Sequence, residues 1–113
     1  MIVKQRSKYF EDADVIAAEI TIAEAGETFY IYGEYSQEAD DVYTSVSRDS
    51  ILDMNVRIIR EQDPESVDRL IKRRWEMEHL IDKDTRDRLR KEYRGSIIAM
   101  LREEAQRNGL TLF

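Results

Sequence analysis

The sequence predicts an α+β fold: an antiparallel β-meander of three to four strands followed by two α-helices packed on one face. Three observations carry that expectation. Two successive stretches before residue 36 alternate apolar and polar residues with a period of two. Asp63-Pro64-Glu65 is a helix start, followed by apolar residues at helical spacing. All strand-like patterns precede the long helical ones, an order that suits a sheet with helices added afterwards.

The first ten residues give no clean period. Ile2-Val3 can open an edge strand, and Tyr9-Phe10 can fold back onto a core. The alternation is clear from residue 16. Ile16, Ala18, Ile20 and Ile22 share one face, and Ala17, Glu19 and Thr21 share the other. Glu24-Ala25-Gly26-Glu27 is a turn, with Gly26 free to take a positive φ. Residues 28–35 continue with Phe29, Ile31 and Gly33 alternating against Tyr30, Tyr32 and Glu34. Residues 36–41 form a polar loop. Val42, Thr44 and Val46 then mark a third strand ending near Ser47-Arg48-Asp49-Ser50.

Residues 51–60 carry two patterns. Ser50 with Asp53 resembles a capping box, and Arg57 and Arg60 suit a helix C-terminus. Leu52, Met54, Val56 and Ile58 alternate with Asp53, Asn55 and Arg57, and this period covers more positions, so the segment is assigned to a strand. From Pro64 a helix is expected to about Ile81, with Val67, Leu70, Ile71, Met77 and Ile81 on one stripe. Asp84 or Thr85 is expected to cap a second helix, with Leu89, Tyr93, Ile97, Met100 and Leu101 turned inward. Gly95 interrupts that pattern and is a candidate bend. Asn108-Gly109 is a stop, followed by an apolar tail of Leu110, Leu112 and Phe113.

The 113 residues fit a single domain, 1–113, and 42% hydrophobic content is enough for a core. No apolar run approaches the roughly 18 to 20 residues that span a bilayer, so no membrane association is expected. The opening residues lack the apolar core of a secretory signal, and there is no cysteine to form a disulfide or a thiolate metal site. A cytoplasmic protein is the resulting expectation.

The charge is divided. Residues 1–66 hold 15 acids and 6 bases, a balance of −9. Residues 67–113 hold 9 acids and 12 bases, a balance of +3, which restores the chain's −6. Between Glu11 and Asp53, 12 acids face one base, Arg48. Such a segment repels nucleic acid and attracts basic surfaces.

No motif specifies a reaction. His79 is the single histidine and lacks partners for a multi-histidine metal site. An EF-hand loop begun at Asp82 needs glycine and glutamate where Asp87 and Tyr93 stand, so these aspartates are read as caps. Glu34, Glu38, Asp40 and Asp41 bracket a loop flanked by Tyr30, Tyr32, Tyr35 and Tyr43. The first reading of this cluster is a solvated acidic loop; the second is a protein interface, which carboxylates among tyrosines suit better than a catalytic centre at this spacing. No catalytic residue, metal or cofactor is assigned.

Arg69, Lys72, Arg73, Arg74 and Trp75 are the densest basic cluster. The helical wheel turns Arg69, Lys72 and Arg73 outward, sets Arg74 against Glu78 in an ion pair, and assigns Trp75 to the core. The overall acidity makes nucleic acid an improbable partner. Apolar residues on more than one side of the last helix, Ile98 and Leu101 among them, suit a homodimer interface.

The functional expectation is therefore a non-catalytic protein-binding module, an inhibitor presenting Glu34, Tyr35, Glu38, Asp40, Asp41 and Tyr43 to a basic partner such as a nuclease. In composition alone, the chain is similar to phage-encoded inhibitors such as anti-CRISPRs and DNA mimics, to bacterial immunity proteins and to many uncharacterised bacterial proteins. No residue carries over from that likeness. The alternatives are a nucleic-acid binder using the basic helices and a small carboxylate-dependent metal enzyme.

Overall fold

The computed structural model describes residues 1–38 and 40–112. Ala39, in the polar loop, and Phe113, at the end of the apolar tail, lie outside the described residues. Four strands form one antiparallel sheet in chain order: β1 (Ile2–Phe10), β2 (Val15–Glu24), β3 (Glu27–Ser36) and β4 (Asp41–Ser47). Among the described residues, three α-helices follow: α1 (Ile51–Arg60), α2 (Pro64–Glu78) and α3 (Lys83–Arg107). The class is the α+β meander expected, with one helix more. No described helix is long and apolar enough to cross a membrane.

The β2–β3 hairpin closes on Glu24 and Glu27 through Ala25-Gly26, both at positive φ (52° and 78°). Two positive values make a turn whose twist matches the strands it joins. Period-two alternation then separates the faces. Ile16, Ala18, Ile20 and Ile22 line up with Phe29, Ile31 and Val46 on one face, where Leu89, Ile97, Leu101 and Ala105 of α3 bury them. Gly33 lies beneath α3, and a Cβ there would stand 2.2 Å from Ile97 Cγ2. The missing side chain is what lets the helix approach the sheet.

The opposite face is covered as well, which corrects the one-sided packing expected. Phe10, Ala17 and Tyr32 pack with Ile51 and Leu52 of α1. α1 is a helix where alternation predicted a strand. Its buried residues Ile51, Leu52, Met54 and Asn55 repeat at helical spacing, so the alternation of 52, 54, 56 and 58 was incidental. The deciding contacts are caps. Ser50 Oγ accepts from Asp53 N–H at 3.1 Å, and the buried Glu19 carboxylate accepts from Ile51 N–H at 2.9 Å and Leu52 N–H at 3.0 Å. Three of the four unpaired donors at the helix start are thereby met.

α2 is short of its expected end and is lightly anchored; Met77 is its one buried residue. α3 runs unbroken through Gly95 and starts earlier than predicted, at Lys83, capped by Asp82, whose carboxylate accepts from Thr85 N–H at 3.0 Å. It ends as Asn108-Gly109 foretold: Leu110 N–H reaches Ala105 O, Gly109 N–H reaches Gln106 O, and Gly109 has φ 72°. Leu110 and Leu112 then fold back onto the α3 side of the core.

Candidate functional site

The acidic loop residues are near one another in sequence but do not form one surface. Glu34 lies on the α1 face of β3, where Arg74 Nη2 donates to it at 3.1 Å. Tyr35 points to the other face, is buried, and donates from its hydroxyl to Asp40 at 2.5 Å. That hydrogen bond, with burial, holds the Tyr35 phenol above its ordinary pKa. Asp41 accepts from Val42 N–H at 2.8 Å. Glu38, Asp40 and Asp41 are the exposed acids of the turn. Among the described residues, no group of three His, Cys, Asp or Glu side chains is placed to hold a metal ion.

Arg74 is the hub the sequence half disclosed. The expected partner Glu78 is present at 3.9 Å, but stronger contacts come from elsewhere in the chain. Its guanidinium donates to Asn55 Oδ1 at 2.7 Å and to Glu34 at 3.1 Å, and stands over the Tyr32 ring at 5.3 Å and the Tyr43 ring at 5.9 Å. Asn55 Nδ2 in turn donates to the Tyr32 hydroxyl at 2.6 Å. Burial pushes the Tyr32 phenol far above its usual range. This network clamps α1, α2, β3 and β4 together. It is a structural pin, because each of its polar groups already has a partner.

Outside that pin lies an exposed apolar surface. Trp75, assigned to the core on sequence grounds, is 61% exposed; Ile71 and Tyr43 are each 49% exposed. These three, with Arg74 and Glu78, line a depression of about 190 Å³ between α2 and β4. Tyr43 is held there by a hydrogen bond from its hydroxyl to Glu78 at 3.2 Å. Partial burial and that carboxylate raise its pKa. His79 packs against Trp75 with ring centroids 4.1 Å apart at a tilt of 32°, and its Nδ1 lies 2.7 Å from the Trp75 backbone carbonyl oxygen. Leu80 beyond it is exposed too.

On the other side of β4, Thr44, Asp87, Arg90, Lys91 and Arg94 line a second depression of about 280 Å³. Lys83 Nζ and Arg90 Nη1 both meet Asp87, at 2.9 and 3.5 Å. Among the described residues, Lys91 and Arg94 meet no carboxylate, and Arg90 Nε is shielded from solvent without an acceptor.

Of the residues read as an oligomer surface, Ile98 is half-buried and Leu101 is fully buried against this chain's own sheet. Leu101 leaves no side-chain surface for a partner. The exposed apolar residues lie elsewhere: Ile71 and Trp75 on α2, Tyr43 on β4, Ile59 on α1, Leu80 beyond α2, and Met1, Ile2 and Val3 by β1. Trp75, beside four cations, is exposed where packing is expected. The sequence signal that identifies it is the low apolar content of α2: Trp75 is surrounded by charges on both sides. No known protein family, curated protein or solved structure matches the chain.

Proposed function

We propose that this chain is a non-catalytic protein-binding module whose working surface is the α2–β4 depression formed by Tyr43, Ile71 and Trp75. One observation carries the reading: Trp75 and Ile71, on a helix with a single buried residue, and Tyr43 of β4 stand exposed around one hollow. Clustered exposed aromatics with a polar rim are what binding surfaces present, and Trp and Tyr are the side chains whose loss costs most at interfaces. The test is capture of a partner from host lysate by wild type, Trp75→Ala and Ile71→Glu. Loss of the same captured protein in both variants, with unchanged circular dichroism, is the expected result. Equal capture by all three removes the reading.

A second surface is favoured by the turn acids Glu38, Asp40 and Asp41, three exposed carboxylates within four residues. They support the inhibitor reading, in which an acidic face steers onto a basic nucleic-acid-handling partner. Glu38→Gln with Asp41→Asn separates the two. If capture falls with these neutralisations, most of all at low salt, and survives Trp75→Ala, the acidic turn is the contact.

A further inference from the structure

We infer that the open edge of β4 receives an extended peptide strand carrying an acidic residue flanked by apolar ones. The inference rests on the protein-binding reading and names the partner's chemistry. β4 is the last strand of the sheet, so one of its sides has no neighbouring strand. The register says which residues face outward. The two-residue turn makes Glu24 and Glu27 a hydrogen-bonded pair, so odd-numbered residues of β3 bond to β2 and even-numbered ones to β4. Their partners on β4 are Asp41, Tyr43, Ser45 and Ser47. Val42, Thr44 and Val46 therefore direct their N–H and C=O groups away from the sheet. The N–H of Val42 is taken by Asp41 Oδ1, as an outward amide would be. Val46 is buried, which leaves Thr44 as the docking position.

Successive residues of an added strand point to opposite faces. The residue opposite Thr44 enters the hollow of Asp87, Arg90, Lys91 and Arg94; its one acid, Asp87, is already met by Lys83 and Arg90, and Lys91 and Arg94, without a carboxylate partner among the described residues, call for a second one. Its neighbours enter the hollow of Tyr43, Ile71 and Trp75, which calls for apolar side chains. Main-chain bonds thus give affinity and the two hollows give specificity. A second copy of this chain is the wrong occupant. Pairing β4 with β4 brings one Arg90–Lys91–Arg94 group against the other, and like charges across a strand pair are repulsive.

The experiment is an amide chemical-shift titration with the capped peptide Glu-Phe-Asp-Val-Glu. The controls are the same peptide N-methylated at its central aspartate and a Lys-Phe-Lys-Val-Lys peptide. The expected result is saturable movement of the Thr44 amide together with the Trp75 indole. N-methylation should weaken binding by about tenfold, the loss of one main-chain bond. Lys91→Glu with Arg94→Glu should weaken it by more than that, and the lysine peptide should not bind. Shifts at Trp75 and Ile71 without Thr44, or affinity indifferent to N-methylation, overturn strand addition. No binding of the acidic peptide overturns it too. If strand addition fails while Trp75→Ala still abolishes partner capture, the module reading survives; if Trp75→Ala captures normally, the module reading fails independently.

Discussion

Four donors converge on the Glu19 carboxylate. Ser50 Oγ and Arg6 Nη2 reach Oε1 at 2.7 and 3.1 Å, while the N–H groups of Ile51 and Leu52 reach Oε2. The side chain is fully buried in the middle of β2, on the face that alternation marks as polar. A buried carboxylate is tolerated only when its lone pairs are filled and its charge is met. Here Arg6 and the positive end of α1 do both. Glu19→Gln keeps the shape but turns an acceptor into an amide donor that faces donors. The expected cost is on the order of 3 kcal/mol, read as a lower urea midpoint with an unchanged slope. A loss below about 1 kcal/mol would mean that Ser50 alone holds the helix start. The sequence places Glu19 on the right face but cannot show its partners, which lie more than 30 residues away at Ser50, Ile51 and Leu52.

Elements were legible where the pattern was local. The β2–β3 hairpin was read from alternation and a turn glycine, and the α3 terminus from Asn108-Gly109. β1 was legible only at its start, where Ile2-Val3 offered an edge strand; the remainder, rich in Lys4, Arg6 and Lys8, shows no apolar face, and its charges also guard the edge against pairing. α1 was misassigned because four apolar residues happened to fit two periods, while the capping signal at Ser50 was outweighed. Trp75 was misplaced because a helical wheel measures direction and not whether anything stands in that direction. Gly95 shows the same limit. It was a candidate bend, yet α3 continues through it, and a Cβ at that position would touch nothing within 4 Å. Gly95→Ala should therefore stabilise the protein by about 0.8 kcal/mol through helix propensity alone. Calorimetry should show a melting point higher by about 3–4 °C. An unchanged or lower value would imply that α3 is not continuous in solution.

Across the whole molecule, the charge division in the sequence does not survive folding as two separate poles. Arg74 of α2 crosses to Glu34 of β3 and Arg88 of α3 to Glu24 of β2, so bases of the basic half are set against acids of the sheet, while Arg6 of β1 meets Asp53 of α1. The acidic segment is therefore partly neutralised in place, and acid is the condition that exposes this. The bond from Arg6 holds the Asp53 carboxyl below its usual 3.8; Asp82 is lowered by the Thr85 N–H and Asp87 by Lys83. A group with a depressed folded pKa stabilises the fold above its unfolded pKa. That contribution is lost as pH falls through the folded value, because the unfolded chain takes up the proton first. Stability should hold from neutral pH to about 5 and then decline steeply below about 4. Asp53→Asn removes one such group and keeps the Ser50 cap. Urea unfolding at pH 7 should find the variant less stable than wild type, and the gap should close as pH falls toward 2.5. Parallel curves across that range would show that Arg6 and Asp53 do not interact in solution, and that the link between β1 and the start of α1 rests on Glu19 and Ser50.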